Sequence, residues 1–286
     1  MARRPNAAER AGYARERYEA VGIAHDVYRG GEGPPVILLH ELPSLSWRTV
    51  KLANHIRDRG FRVVMPMLVG GVREAPTSAG RTARLAADLV TSTVRLCISR
   101  QFVVLLQGRT SPITGWLLAL ARDEAQASGH PRVGVIGMCL TGGFALGTAI
   151  DPIVGVAVAS QPSLPLAMGP LKRIPGQATD PGVSAADYER LRARKDDPDF
   201  CVLAFRYTTD RIAPVERVER LARDLAPGLV FTPIEAKVPA HPVLTDATDV
   251  GRDESARPAI EAALDSVIRE LRERLAVSPG PERTDG

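Results

Sequence analysis

Three residues whose types suit nucleophilic catalysis lie far apart in the sequence, and each follows a predicted strand. Cys139 comes soon after the apolar run 133–136, and Asp210 and His241 follow later runs of the same kind. A thiol becomes a strong nucleophile when a base removes its proton, and an acid commonly orients that base. We therefore predict that Cys139 is a nucleophile in acyl transfer, with His241 as its base and Asp210 as the orienting acid.

The turn that carries Cys139 has small residues where a tight strand-to-helix turn needs them. Gly137 lies two positions before Cys139, and three small residues follow soon after it: Thr141, Gly142 and Gly143. Large neighbours would clash in such a turn, which holds its nucleophile up at the end of a strand. A helix beginning at Leu140 would point its free N–H groups at the thiol and favour a thiolate. The alternative is that Cys139 is a small buried hydrophobe.

The other candidates also have ordinary structural explanations. Asp210 could instead cap the next helix, and His241 could be a histidine of a surface loop. Glu41 follows a predicted strand, at a place that suits an oxyanion-hole loop, and the alternative is that it is an ordinary exposed loop residue. The remaining histidines fit the role of base less well by position: His25, His40, His55 and His130. Two later aspartates, Asp246 and Asp249, follow His241 and so break the expected chain order of nucleophile, acid and histidine.

These residues need a scaffold, and the hydrophobic pattern predicts one of alternating strands and helices. Such alternation indicates an α/β fold with a mostly parallel sheet covered by helices on both faces. Strands are predicted near 24–28, 36–40, 61–65, 133–136, 153–159, 200–207 and 229–234, with 102–106 too short to classify. Helices are predicted at 44–59, 82–99, 112–128, 140–148, 184–194, 214–225 and 256–275, with loops at 66–82 and 161–182.

The chain is expected to form one main domain. Residues 1–22 are predicted to be a polar, partly helical arm, residues 23–278 the α/β domain, and residues 279–286 a disordered tail. The sequence contains no internal repeat and no change of composition that would mark a second domain.

Composition and charge narrow the function classes. The chain has a net charge of +4 and a pI near 9.2, but acidic and basic residues are mixed, so we predict no nucleic-acid partner.

Three separated cysteines suggest neither a disulfide framework nor a zinc site, and Cys97 and Cys201 are predicted to be packing residues. We find no signal peptide or membrane span, and we expect a cytoplasmic protein that needs no metal or organic cofactor. The oligomeric state is left open.

Taken together, Glu41, Gly137-Met138-Cys139-Leu140, Asp210 and His241 resemble the dienelactone hydrolase family of the α/β-hydrolase superfamily. The resemblance covers roughly residues 30–275 and implies the α/β-hydrolase fold and a carboxymethylenebutenolidase-like carboxylic ester hydrolase. It implies that Cys139 attacks a small-molecule ester or lactone to form a thioester, while His241 transfers the proton and Asp210 orients it. Glu41 would restrain Cys139 or help to deprotonate it, and the N–H groups of Leu42 and Leu140 would form the oxyanion hole.

The resemblance is incomplete, and other functions remain open. The turn after Cys139 is one residue longer than the simplest family turn, and no motif places the arginines that grip a substrate carboxylate in that family. Surface charges that could serve as anion contacts are Arg73, Arg81, Arg109 and Arg211. The alternatives are a non-catalytic ligand-binding protein of the same fold, a thioesterase or other acyl-transfer enzyme, and a thiol-based redox protein. No resolving cysteine lies near Cys139, which disfavours the redox alternative.

Overall fold

In the computed structural model, the described residues are 4–74, 111–163, 178–249 and 253–275. They form an eight-stranded sheet, in which the strands lie in the order β1-β2-β5-β3-β7-β8-β9-β10, and a small sheet of β4 and β6. The strands are β1 (Ala14–Ala20), β2 (Ile23–Gly30), β3 (Pro35–Leu38), β4 (Leu45–Ser46), β5 (Arg62–Met67), β6 (Val72–Arg73), β7 (Val133–Met138), β8 (Val154–Ser160), β9 (Val202–Tyr207) and β10 (Leu229–Ile234).

Helices connect these strands and pack on the sheet. They are α1 (Ala7–Arg10), α2 (Trp47–Arg57), α3 (Pro112–Ser128), α4 (Thr141–Thr148), α5 (Ala185–Arg194), α6 (Val215–Leu225), α7 (Val243–Ala247) and α8 (Arg257–Leu275), with a short 3₁₀ turn at Glu254–Ala256 before α8. Among the described residues, no helix has the length and apolar character needed to cross a membrane.

The sheet is mostly parallel. β1 pairs with β2 and β2 with β5 in antiparallel fashion, whereas the pairs from β5 through β3, β7, β8 and β9 to β10 are parallel. Parallel strands connected by helices must be covered on both faces, and two buried apolar clusters lie on the two sides of the sheet. One contains residues of α3 to α6 and the other residues of α2, α7 and α8. The predicted α/β architecture is therefore confirmed.

The central strands show why the site is rigidly held. Every residue of β7, β8 and β9 is buried. In a parallel sheet, the carboxyl ends of neighbouring strands lie at one edge, where ligands usually bind. The residues that follow β7, β8 and β9 in the chain are thus brought together there, and they include Cys139 and Asp210.

The first predicted segment requires a correction. Ala14–Ala20 of the predicted polar arm is strand β1, which pairs with β2 over its whole length. Five of its seven residues are exposed and the other two are only partly buried, because β1 forms the outer edge of the sheet. An edge strand needs little apolar surface, and charged side chains protect its unpaired side. Sequence hydropathy therefore gave no signal for this strand.

Local signals placed most other elements well. Helix α3 has the predicted bounds because Ser111 caps its start and Gly129, at φ 71°, ends it in the left-handed conformation. Ser184 caps α5 as predicted. Part of the predicted 66–82 loop forms β6. The helix predicted at 82–99, the run 102–106 and the tail 279–286 lie outside the described residues, as do Cys97, Arg81 and Arg109.

Candidate active site

Cys139 occupies the tight turn between β7 and α4. Its backbone has φ 59°, in the left-handed region that residues with a side chain rarely adopt. Such strain costs on the order of 1–3 kcal/mol and persists where the surrounding structure enforces it. Here the Cys139 N–H donates to the Ser160 carbonyl at 3.0 Å, and its own carbonyl accepts from Gly142 at 3.1 Å. The thiol is therefore held at the carboxyl end of the central strand.

Gly137 is required by the close approach of the next turn. A Cβ atom at this position would lie 2.1 Å from the Thr141 carbonyl oxygen and 2.8 Å from the Ala145 Cβ. Both contacts are far inside van der Waals distance, and the backbone oxygen cannot move independently of helix α4. The glycine before the thiol thus has a packing reason in this fold.

We expect Gly137→Ala to lower the free energy of unfolding by about 3 kcal/mol, because the added methyl group forces β7 and α4 apart. The matched control is Gly115→Ala in α3, where no atom lies within 4 Å of the added Cβ. That substitution should raise the free energy by about 1 kcal/mol, because alanine favours a helix over glycine. Urea unfolding monitored by circular dichroism measures both. A Gly137→Ala protein as stable as the wild type would contradict the observed packing.

The Thr141 side chain makes hydrogen-bond contacts in the Cys139 turn and to the segment that follows β3. Its hydroxyl accepts from the Met138 N–H at 2.9 Å and lies 2.9 Å from the Met138 carbonyl oxygen and 3.2 Å from the His40 carbonyl oxygen, and it can donate to either oxygen. Sequence analysis treated Thr141 only as a small residue. Its buried hydroxyl in fact connects the Cys139 turn to the segment after β3, which carries Glu41 and Leu42.

Asp210 and His241 form a direct pair. The Nδ1 atom of His241 lies 2.8 Å from Oδ2 of Asp210, and because a carboxylate only accepts, Nδ1 carries the donated proton. The other carboxylate oxygen, Oδ1, accepts from the N–H groups of Ile212 at 2.7 Å and Ala213 at 3.1 Å. The Asp210 side chain is fully buried. Its orientation is thereby fixed by three donors.

Arg206 is a residue that sequence analysis missed. It lies within the buried strand β9, and its guanidinium donates to the carbonyl groups of Tyr207, Asp210 and Ala213, each at 2.7 Å. These bonds fix both ends of the loop that presents the Asp210 carboxylate. The available signal was a charged residue inside an apolar strand, since a buried charge requires partners.

His241 is coupled to Cys139. Its Nε2 atom is buried and has no hydrogen-bond partner among the described residues. Burial alone lowers the pKa of His241, but the charge of the Cys139 sulfur and the interactions with Asp210 and Cys139 outweigh it and raise the pKa to about 11. Cys139, His241 and Asp210 are therefore brought into one cluster.

Glu41 lies near this cluster but is bonded to another residue. Its Oε1 accepts from the side-chain amide of Gln161 at 2.9 Å, and no hydrogen bond links it to Cys139 among the described residues. Burial raises the pKa of Glu41, against the opposing influence of the charges of His241 and Arg48. Glu41 thus interacts electrostatically with His241, while its carboxylate is hydrogen-bonded to the buried amide of Gln161.

Gln161 was not identified from the sequence. It is fully buried directly after β8, with φ 37°, and its side-chain carbonyl accepts from the Val243 N–H at 3.3 Å. One side chain therefore joins Glu41 to the segment that follows His241. No local pattern reveals this, because the three positions are far apart in the chain.

The predicted oxyanion-hole residues lie on two different segments. Leu140 is the N-cap residue of α4 and makes no side-chain capping bond, and Leu42 precedes a cis peptide bond to Pro43. Buried His40 holds the Leu42 segment in place. Its Nδ1 donates to the Glu41 carbonyl at 2.8 Å and its Nε2 accepts from the Leu68 N–H at 3.2 Å. Burial lowers the pKa of His40 to about 4, so it stays neutral and serves as a structural acceptor.

A cavity of about 470 Å³ opens beside His241. Its size is that of a small-molecule pocket. Apolar and charged side chains both line it: Trp47, Arg48, Asp210, Arg211, Ile212, Pro239, Ala240, His241, Pro242, Asp246 and Asp249. Arg211, one of the arginines considered as anion contacts, lies in this wall, whereas Arg73 does not.

The other cysteine that the structure describes is buried. Cys201 lies just before β9, and burial raises the pKa of its thiol to about 11, which makes it unreactive. Within the described ranges, no group of three or more His, Cys, Asp or Glu side chains could hold a metal ion.

Comparison with known proteins shows the fold. No family profile and no curated protein sequence matches this chain. Among solved structures, it is similar to a Klebsiella pneumoniae protein whose assignment as a dienelactone hydrolase is provisional, with TM-score 0.58 and 15% identity over 90% of this chain and 98% of the other. It is also similar to an esterase from Pyrococcus furiosus, with TM-score 0.54 and 13% identity over 94% and 95%. The chain therefore has the α/β-hydrolase fold.

Proposed function

We propose that this α/β-hydrolase-fold chain is a carboxylic ester or lactone hydrolase of the dienelactone hydrolase type. The observation that carries the proposal is the 2.8 Å contact between His241 Nδ1 and Asp210 Oδ2, with His241 also coupled to the strained Cys139. A buried acid that orients an imidazole, and a thiol at a strand-to-helix turn that acts electrostatically on this imidazole, have the arrangement of a nucleophilic triad.

In the first step, the Cys139 sulfur attacks the carbonyl carbon of the ester. The carbonyl electron pair moves to oxygen, which the N–H groups of Leu140 and Leu42 stabilise by about 3 kcal/mol per donor. The C–O bond to the alcohol then breaks. His241 gives its Nε2 proton to the departing oxygen, which leaves a thioester on Cys139 and a neutral imidazole.

In the second step, His241 takes a proton from water as the water oxygen attacks the thioester carbonyl. The tetrahedral intermediate collapses, the C–S bond breaks, and the electron pair returns to the sulfur. The products are the carboxylic acid and a thiolate paired with the imidazolium. Asp210 holds the ring in the required tautomer throughout, and Glu41 lies where its charge would stabilise the imidazolium.

The test is to trap the thioester. Wild-type protein mixed with p-nitrophenyl acetate, quenched in acid within milliseconds and digested should yield the Cys139 peptide with one added acetyl group. The buried Cys201 provides an internal control and should stay unmodified. A panel of an aryl ester, a dienelactone and an acyl thioester then measures substrate preference. Turnover without an adduct on Cys139, or an adduct on another side chain, would disprove the proposal. No turnover of any substrate would favour a ligand-binding protein.

A further inference from the structure

A serine side chain lies against the sulfur of Cys139. The Ser163 Oγ is 3.0 Å from the Cys139 Sγ, and Ser163 is only 5% exposed. Within the described part of the chain, no other hydrogen bond is made by this hydroxyl. A hydroxyl can donate to a thiolate, and a bond from a neutral donor to a charged acceptor is stronger than one between neutral groups.

The backbone holds this contact in place on both sides. The Ser163 N–H donates to the Cys139 carbonyl at 3.1 Å, and the Cys139 N–H donates to the Ser160 carbonyl at 3.0 Å. The peptide before Ser163 is also fixed, because the buried Arg217 donates to the Pro162 carbonyl at 3.1 Å. The contact between the Ser163 hydroxyl and the Cys139 sulfur is therefore fixed by the backbone, because the main chain of Ser163 is hydrogen-bonded to that of Cys139.

We propose that Ser163 is a catalytic residue that stabilises the Cys139 thiolate as it leaves the acyl-enzyme. The inference rests on the proposed function. In the thioester, the sulfur is neutral and a poor acceptor. When the C–S bond of the tetrahedral intermediate breaks, the electron pair returns to the sulfur, which accepts the hydrogen bond from Ser163. No proton moves from Ser163 in this step, because His241 already holds the proton taken from water.

This role affects the two chemical steps unequally. Deacylation creates charge on the sulfur, so the Ser163 hydrogen bond strengthens as the transition state forms and lowers the barrier. Acylation consumes that charge, so the same bond gives no acceleration there. Loss of the hydroxyl should therefore slow the second step selectively, and a slower second step lowers kcat and KM together while kcat/KM is nearly unchanged.

The experiment compares Ser163→Ala with Ser163→Thr on an aryl ester whose deacylation limits turnover. For Ser163→Ala, kcat should fall about tenfold or more, the effect expected for one hydrogen bond to a charged group. KM should fall in parallel, kcat/KM should change by less than about threefold, and intact-mass spectra at steady state should show more thioester on Cys139. Ser163→Thr keeps a hydroxyl and should recover most of kcat.

The controls separate this inference from the proposed function. Ser266→Ala removes a hydroxyl that bonds within α8, far from the site in sequence, and should leave all constants unchanged. If kcat of Ser163→Ala is unchanged while Cys139→Ala is inactive, the role of Ser163 is wrong and the proposed function stands. A fall in kcat at constant KM without thioester accumulation also overturns it. An active Cys139→Ala protein overturns both.

Discussion

Replacing Cys139 by alanine should reduce kcat/KM for an aryl ester by roughly 10⁴-fold or more, because no acyl-enzyme can then form. The substitution isolates the thiol well. Alanine keeps the Cβ atom, so the strained backbone at φ 59° and its surroundings are the same in both proteins. The residual activity of the variant is slow direct attack of water on the ester, assisted by the oxyanion hole. Steady-state kinetics with product detection by absorbance measures the loss.

The matched control for this prediction is Cys201→Ala. Cys201 is 9% exposed and its sulfur lies 3.7 Å from Oε2 of Glu270, away from the residues of the site. Its replacement should change kcat/KM by less than about twofold, although the smaller side chain lowers stability. If the Cys139 variant keeps a tenth or more of wild-type activity, Cys139 is not the nucleophile. If the Cys201 variant is the inactive one, the site has been placed wrongly.

Replacing Asp210 by asparagine should reduce kcat roughly 10³-fold, with little change in stability. The reason is the fixed direction of the side chain. The N–H groups of Ile212 and Ala213 both donate to Oδ1, so the carbonyl oxygen of asparagine must take that position. Its NH₂ group then faces His241 Nδ1, which has to accept and therefore carries its proton on Nε2. In that tautomer Nε2 cannot take a proton from water.

A second aspartate provides the control for this charge change. Asp151 also accepts a backbone N–H, from Ile153 at 3.0 Å, but lies at the opposite end of the strands from Cys139, before β8. Asp151→Asn should leave kcat unchanged. The two variants should show similar urea midpoints, which shows that the loss at position 210 is not unfolding. A nearly active Asp210→Asn protein would mean that orientation of the tautomer is unimportant, and the triad assignment would fail.

The order of strands and helices was largely predictable because most of these elements are indicated by short local stretches of sequence. The buried strands β7 and β8 are short apolar runs between turns, and Ser111 and Gly129 define the ends of α3 by backbone chemistry that involves only near neighbours. The edge strand β1 was not predicted, because strand pairing with β2, and not hydropathy, decides its conformation. Burial patterns identify strands with a buried face and give no signal for an exposed edge.

The order of Cys139, Asp210 and His241, and the small residues around the thiol, could be read from the sequence because the parallel-sheet topology is implied by alternating strands and helices. The distances between the side chains of the site could not be read from the sequence. Arg206 is hydrogen-bonded to the Asp210 loop, Gln161 donates to Glu41, and the Ser163 hydroxyl lies 3.0 Å from the Cys139 sulfur. Gln161 and Ser163 bond to side chains more than twenty positions away, so only the packed sheet, which brings the ends of β7 and β8 together, creates those contacts.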